Sequence, residues 1–454
     1  MTVDWDKYFS NEAKLREPSV MKMAARTPDT ISFASGMPHP DCFPLKGLSI
    51  KYETADSGFS KLATGSNEDA VNAAQADDEI YEACQYMSGR GTTFFDKFCR
   101  HHIEEFHKPV YGEWGTLIQS GGTFSLDAII RMLCNPGEDT ILAEELTYPC
   151  LLETCRPLRL KVFAVKIDNH GVIPEDMERI LTDWYTDLST KDYKKPKFFY
   201  SMPVGQNPSG VTMTVERKRQ LFGVCHKHDV LVVEDDPYYH LQLDGDKKEI
   251  PSLLKFDTDG RVIRIDSFSK MLMPGMRISI VTANKTFIKM LTMQNELTIH
   301  SAAAPSQLIV YMLMNEWKND GFRSWLTHVQ DIYLKRRNTI LDAFDRHLPA
   351  DLCSWNKPSY GMFLWIKISI AQFPKLEEYS QLTDPEWAAK LEDMIFEQAL
   401  QDEIQLAKGH WFMIDQLNMA GFRATYAFAS LDDIYTGSER FGNAIRQIHA
   451  KLYN

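Results

Sequence analysis

Val262-Ile263-Arg264-Ile265-Asp266-Ser267-Phe268-Ser269-Lys270-Met271-Leu272-Met273-Pro274-Gly275-Met276-Arg277-Ile278-Ser279-Ile280-Val281-Thr282 reads as two strands around one polar loop. The β-branched run Val262 to Asp266 ends in two serines and a lysine, and a second such run, Arg277 to Thr282, begins seven residues after that lysine. Upstream, from Trp114, the same rhythm recurs: a short β-branched or aromatic run, a turn, then a longer stretch with helical spacing. That alternation predicts an α/β fold. The further strands are Thr116 to Gln119, Thr140 to Ala143, Lys161 to Val165, Phe198 to Met202 and Val230 to Val233. Most are apolar on both faces, as strands covered by helices on each side must be. The connections favour a largely parallel sheet, whose ligands sit beyond the carboxyl ends of the strands.

Outside this core, Glu17 to Leu48 is turn-rich and holds five prolines. Downstream, a long helical stretch from Pro305 to His347 precedes a strand, Gly361 to Ile368, and a helix, Pro385 to Ala399, which predicts a separate C-terminal α+β unit. Asp244 to Gly260 and Ser369 to Asp384 are charged and aperiodic and read as surface loops.

The chain has 454 residues, 44% hydrophobic and 25% charged, enough for a large core and unlike a disordered or fibrous chain. Fifty Lys and Arg against 62 Asp and Glu leave a net charge of −12, which argues against nucleic acid or an anionic membrane as the main partner. No run approaches the ~20 apolar residues of a membrane span. The first ten residues are polar and acidic rather than basic and then apolar, so no export is expected. Eight cysteines lie scattered without a CxxC pair, as reduced thiols of a cytoplasmic protein do.

Four loops after strands carry the chemistry. Ser267, Ser269, Lys270 and Arg277 supply hydroxyl and cationic donors to a phosphate and one amine for imine chemistry. Ser120-Gly121-Gly122-Thr123 opens a helix toward Leu133, where glycines admit a ligand and unpaired N–H groups face an anion. Gln206-Asn207-Pro208-Ser209-Gly210 and Glu234-Asp235-Asp236-Pro237-Tyr238-Tyr239 put an amide and a carboxylate at neighbouring strand ends. Each is open to a reading as plain turn chemistry, but together the four loops predict a single site. Nothing matches G-x-G-x-x-G or a P-loop. Cys225-His226-Lys227-His228 lacks the partners a metal needs, and His101-His102, beside Glu104 and Glu105, reads as a solvated helix face.

With these motifs in this order, and with Ile31-Ser32-Phe33-Ala34-Ser35-Gly36-Met37-Pro38 near one end and Gly421-Phe422-Arg423-Ala424-Thr425-Tyr426 near the other, the chain resembles fold-type I pyridoxal-phosphate aminotransferases. Within them it is most similar to the fungal aromatic and the kynurenine/α-aminoadipate aminotransferases. The resemblance implies a large domain on a mostly parallel seven-stranded sheet (residues 51–325), a smaller α+β domain (326–454) and an N-terminal segment (1–50) that closes over the site. It implies pyridoxal 5'-phosphate as cofactor, with Lys270 bonding its aldehyde and moving the proton, Asp235 on the pyridine nitrogen, and Asn207 and Tyr238 on the ring oxygen. Gly122, Thr123, Ser267, Ser269 and Arg277 match phosphate-binding positions, and Tyr148 an aromatic stacked on the ring. Tyr86 matches a tyrosine that reaches the neighbouring subunit's phosphate, which makes a homodimer the expected assembly. Arg423 matches the arginine that grips the substrate carboxylate, and the segment around Gly36 contributes a pocket wall.

Met273, Ile278-Ser279-Ile280, Gly122 and Lys408-Gly409-His410 depart from the family's usual residues without removing a catalytic group. The expected reaction moves the amino group of an aromatic or related amino acid to a 2-oxo acid such as 2-oxoglutarate, in two half-reactions. A β-lyase or decarboxylase of the same fold is the alternative. A noncatalytic regulator is disfavoured, since only about 30 residues precede Ile31 and the net charge is −12.

Overall fold

All seven expected strands form, as β1 Trp114–Gln119, β2 Thr140–Glu144, β3 Lys161–Val165, β4 Phe198–Ser201, β5 Leu231–Asp235, β6 Val262–Ser267 and β7 Ser279–Asn284. They belong to one mixed sheet in the order β1-β7-β6-β5-β4-β2-β3. Pairs β5–β6, β2–β3 and β2–β4 are parallel, and β7 runs antiparallel to both β6 and β1. The reversal has a local cause: only Phe268 to Ile278 separate β6 from β7, too few residues for the crossover that a parallel pair requires. The Lys270 loop is therefore held at the carboxyl end of β6 by a strand at each of its ends.

This computed structural model describes residues 3–17, 47–65, 73–244 and 250–453. Gly36 lies outside them. Contacts divide the chain into two compact units, residues 1–139, 225–237 and 251–328 in the first and 140–224, 238–250 and 329–454 in the second.

In the first unit, Phe95, Cys99, Ile103 and Phe106 of the helix Thr93–Phe106, spaced three or four apart, pack on Ile118, Phe268 and Ile280. His102 belongs to that buried face and not to a solvated one. Its ring lies against Phe106 and Phe322, and burial, aided by His107, pushes its pKa down to about 3. A buried histidine about one turn from the end of an aromatic helix stays neutral and packs as an aromatic. The stretch expected as a loop after Asp244 is also partly inside. Leu253 and Leu254 are buried, and the Asp257 carboxylate accepts backbone N–H bonds from Gly260, Arg261 and Val262.

The second unit carries a four-stranded antiparallel sheet, β8 Cys353–Trp355, β9 Phe363–Ile368, β10 Ala407–Lys408 and β11 Ala420–Thr425, in the order β8-β9-β11-β10. Two of these strands have two or three residues, too short to display a period of two in sequence. The helix Asp384–Gln401 starts where the sequence sets it: Thr383 and Glu386 form a capping box with Pro385 in the first turn. The helical stretch Ala304–His347 is broken at Lys318, whose φ of 52° is not helical. A hairpin of Gly47–Glu53 with Phe59–Gly65 and a final helix, Leu431–Tyr453, went unread in the sequence. Among the described residues no helix is long and apolar enough to cross a membrane.

Candidate active site

In the first unit, the helix Gly122–Leu133 starts directly beyond β1. Its N-cap, Gly121, has φ 90°, a conformation that a side chain strains. A Cβ there would overlap Arg277 Nη2 and lie 2.8 Å from Arg277 Cζ. Glycine thus lets the guanidinium lie against the open N-terminal turn of the helix. A Cβ on Gly122 would meet Asp235 Oδ1 at 3.9 Å, so the same helix start neighbours the last residue of β5. Arg277 itself is left-handed, at φ 52° and ψ 50°, and its Nη1 donates to Pro274 O at 3.2 Å. An arginine held in that conformation costs about 1 kcal/mol or more and persists only where its surroundings fix it.

The loop between is pinned by its apolar residues. Phe268 and Met271 are buried, the Trp325 indole donates to Met271 O at 2.8 Å, and Leu272 N donates to Phe268 O at 2.9 Å. Ser269 and Lys270, between the two anchors, are half-buried, and Ser269 N donates to Ser267 Oγ at 3.2 Å.

Asp235 is fixed by its neighbours. On a strand, alternate side chains face opposite ways, so Glu234 and Asp236 turn away from Asp235. Both meet the fully buried Arg264, each at 3.0 Å, and Arg264 also pairs with Asp266 at 2.6 Å. Burial works against the charge of Arg264, but the three carboxylates outweigh it and raise its pKa. Asp266, 3.3 Å from His107 Nε2, is buried yet held far below the ordinary carboxylate range by Arg264 and His107.

The second unit gathers a second set. Arg423, on β11, donates from Nη1 to Asn207 Oδ1 at 2.7 Å. Its guanidinium lies 4.4 Å from the ring centre of Phe363 and 4.9 Å from that of Phe412. Arg423 Nε is buried with no hydrogen-bond partner. Burial lowers the arginine's pKa, while Tyr238 and Tyr148 act in the opposite sense, which puts both tyrosines within its field. Tyr238 is buried with its ring edge-on to Phe363 at 5.6 Å, and Tyr148 caps the helix Pro149–Cys155. An orphaned N–H on a partly desolvated arginine, flanked by aromatic faces, suits a planar carboxylate attached to an apolar group.

The structure therefore joins Gly122, Asp235 and Arg277 in one group and Asn207, Tyr148, Tyr238 and Arg423 in another. Thr123, Ser267, Ser269 and Lys270 sit on the loops and helix start of the first. Tyr86 is separate, 61% exposed, with its ring 5.4 Å from that of His300. Sequence reasoning missed Phe363 and Phe412. Their signal was faint: an aromatic opening a strand, and the Trp411-Phe412 pair after the unusual Lys408-Gly409-His410. Among the described residues no cluster of three His, Cys, Asp or Glu could hold a metal. The first group, with helix N–H groups, two serines, an arginine and a carboxylate, has the donor set of a phosphate-bearing, ring-protonated cofactor such as pyridoxal phosphate.

Residues 59–433 match the family described as aminotransferase class I and II. An aromatic amino acid aminotransferase of Schizosaccharomyces pombe is 33% identical, with 98% of each chain covered. The mitochondrial kynurenine/α-aminoadipate aminotransferase of Mus musculus is 31% identical over 98% of this chain and 100% of its own. The crystal structure of the aminotransferase Aro8 from Candida albicans superposes with a TM-score of 0.89 at 28% identity, covering 99% of both chains. By its sequence, its fold and the motifs at its strand ends, the chain belongs to the class I and II aminotransferases.

Proposed function

We propose that this enzyme uses pyridoxal 5'-phosphate to transfer the amino group of an aromatic or related amino acid, kynurenine and α-aminoadipate included, to a 2-oxo acid such as 2-oxoglutarate. The observation that carries the substrate class is Arg423: a cation with an unspent buried N–H, set between Phe363 and Phe412. Its fork takes the α-carboxylate common to donor and acceptor, and the two rings favour an apolar side chain beside it. Relatives whose names specify aromatic amino acids or kynurenine support the same reading.

When bound, the cofactor supplies an aldehyde that combines with amines and a protonated ring that draws electron density from Cα. Gly122, Thr123, Ser267, Ser269 and Arg277 hold its phosphate. Asp235 keeps the ring nitrogen protonated, Tyr148 covers a ring face, and Asn207 and Tyr238 donate to the ring oxygen. Lys270 Nζ holds the aldehyde at rest and, once released, carries the proton to and from Cα. Asn207 also orients Arg423, because its Oδ1 is committed to Nη1 and its Nδ2 is left to donate.

Tyr86 reaches the partner's phosphate in a homodimer, and the segment around Gly36 supplies a further wall of the pocket. The proposed compartment is the cytoplasm, in keeping with free cysteines throughout the described residues.

The test is the visible spectrum of the purified protein before and after phenylalanine, α-aminoadipate and leucine are added separately, with Lys270→Ala as control. A band that one donor bleaches and 2-oxoglutarate restores establishes transamination and ranks the donors. A spectrum that matches the Lys270→Ala control overturns the reading.

A further inference from the structure

Glu144 is the last residue of β2, fully buried, and has no part in the roles above. Its carboxylate is met by neutral groups. Ser201 Oγ donates to Oε1 at 2.7 Å, Gln206 Nε2 donates to Oε2 at 2.8 Å, and the Met202 N–H donates as well. Among the described residues no charged neighbour contributes to its ionisation, and the next carboxylate, Glu145, faces the other way and accepts from Ile167 N at 3.0 Å. Ile167, Met202, Val211 and Met213 wall the small cavity beside it. Burial outweighs the three donors and pushes its pKa up to about 7.

Gln206 is the hinge of this cluster. Its Nε2 is committed to Glu144 and to Leu146 O, and its Oε1 accepts from Ser209 N at 2.8 Å and Ser209 Oγ at 2.6 Å. Gly210 N donates to Gln206 O at 2.6 Å, and Asn356 Nδ2 donates to Ser209 O at 2.7 Å. The turn Gln206 to Gly210 is thus tied at both ends. Between the ties stands Asn207, whose Oδ1 accepts from Arg423.

We propose that Glu144 is a positioning residue: its ionised carboxylate fixes the orientation of the Gln206 amide, and with it the turn that presents Asn207 to Arg423 and the substrate carboxylate. This rests on the roles proposed above for Asn207 and Arg423. Ionised Glu144 accepts from everything around it, which directs Gln206 Nε2 toward it and Gln206 Oε1 toward Ser209. Protonated on Oε1, Glu144 faces Ser201 Oγ, which accepts only by turning its own O–H to another acceptor, and protonated on Oε2 it faces the Gln206 amide, a donor. If the amide turns over to accept that proton, its Nε2 confronts the Ser209 N–H, a backbone donor that cannot rotate away. With the proton on Oε2 one buried bond is lost whether or not the amide turns, and the turn loosens; with it on Oε1 the Ser201 O–H is left to find another acceptor.

The experiment compares wild type with Glu144→Gln, which keeps the shape but fixes the neutral donor pattern, and with Glu144→Gln/Gln206→Glu, which restores an acceptor toward Ser209. In wild type, KM for the amino donor is expected to fall about tenfold as pH rises through about 7, the worth of one buried hydrogen bond, with kcat changing little. Glu144→Gln should hold KM at its acid value at every pH, and the double exchange should recover part of the loss, since a carboxylate at 206 accepts from Ser209 but takes the donor from Leu146 O. Ser201→Ala, which removes one donor to the carboxylate, should move the midpoint of the KM profile upward. A merely structural role would leave that midpoint where it was.

Thermal melting supplies a readout independent of turnover. The folded pKa of Glu144 lies above its unfolded value, so the folded state holds the extra proton between about pH 4.5 and 7, and stability falls as pH rises through that window. Wild type should lose Tm there relative to Glu144→Gln. A Glu144→Gln enzyme with the wild-type KM profile overturns the proposal, as does a Tm difference that does not vary with pH. Absence of any cofactor band in wild type would instead count against the proposed function, and the melting comparison would still judge Glu144.

Discussion

At the level of single residues, the sharpest constraint is the contact of Gly121 with Arg277. Alanine at 121 meets two obstacles, a φ of 90° and a guanidinium in the space its methyl needs. We expect Gly121→Ala to cost about 1–3 kcal/mol of stability and to lower retained cofactor, read as bound pyridoxal phosphate per chain after gel filtration. Arg423→Lys keeps the charge but loses the fork. With one or two charge-assisted bonds at stake, kcat/KM for the amino donor should drop roughly 10- to 100-fold, mostly through KM, and an unchanged KM would remove Arg423 from the carboxylate site. Residues of this kind were legible in sequence because their neighbours are constrained in sequence too: glycines at a helix start, serines around a lysine. Phe363 and Phe412 were not, since nothing distinguishes an aromatic that flanks an arginine from the many that fill a core. The same ambiguity misplaced His102, whose burial is decided by Phe106 and Phe322, residues that its own sequence surroundings with Glu104 and Glu105 do not reveal.

Among elements, β5 and β6 deserve comparison. Each carries a residue of the proposed site at or just beyond its end, and behind them one arginine gathers Glu234, Asp236 and Asp266. Asp235 owes its direction to this alternation, since a slip of one residue would exchange it with Glu234 or Asp236. Replacing Arg264 with Met would leave three buried carboxylates without their cation. A loss of about 3–5 kcal/mol is expected from breaking such a pair, seen as a lower Tm in the cofactor-free protein as well as the loaded one. The acid side follows from Asp266. Its folded pKa is depressed, so its contribution is complete at neutral pH and is lost as pH falls below the ordinary carboxylate range. The strands themselves were readable to within a few residues because buried strands are continuous apolar runs. The direction of β7 follows from the length of the loop before it, information the sequence contains but periodicity ignores. The hairpin Gly47–Glu53 with Phe59–Gly65 was hidden because its burial alternates only between partial and exposed, a weak contrast for a pattern-based reading.

For the molecule as a whole, the question is whether one chain suffices for catalysis. In the first unit Tyr86, Phe59 and Leu297 expose 61%, 68% and 55% of their surface, unusually much for large apolar groups, and Tyr86 is the residue expected to serve a neighbour. The mass in solution tests assembly, but only complementation tests the sharing of sites. In the proposed homodimer, Tyr86→Ala and Lys270→Ala enzymes should each be severely impaired, the first through weak phosphate binding and the second through loss of the proton carrier. Mixed under conditions that allow subunits to exchange, they should form hybrids in which one site combines the Lys270 of one chain with the Tyr86 of the other. Such a hybrid contains one complete site, and activity should rise toward about a quarter of wild type when random exchange makes half the dimers hybrid, each with one of two sites intact. If Tyr86 serves its own chain, both sites of every hybrid remain defective and mixing restores nothing. Because neither chain is altered by mixing, a rise in activity can come only from residues of two subunits acting at one site.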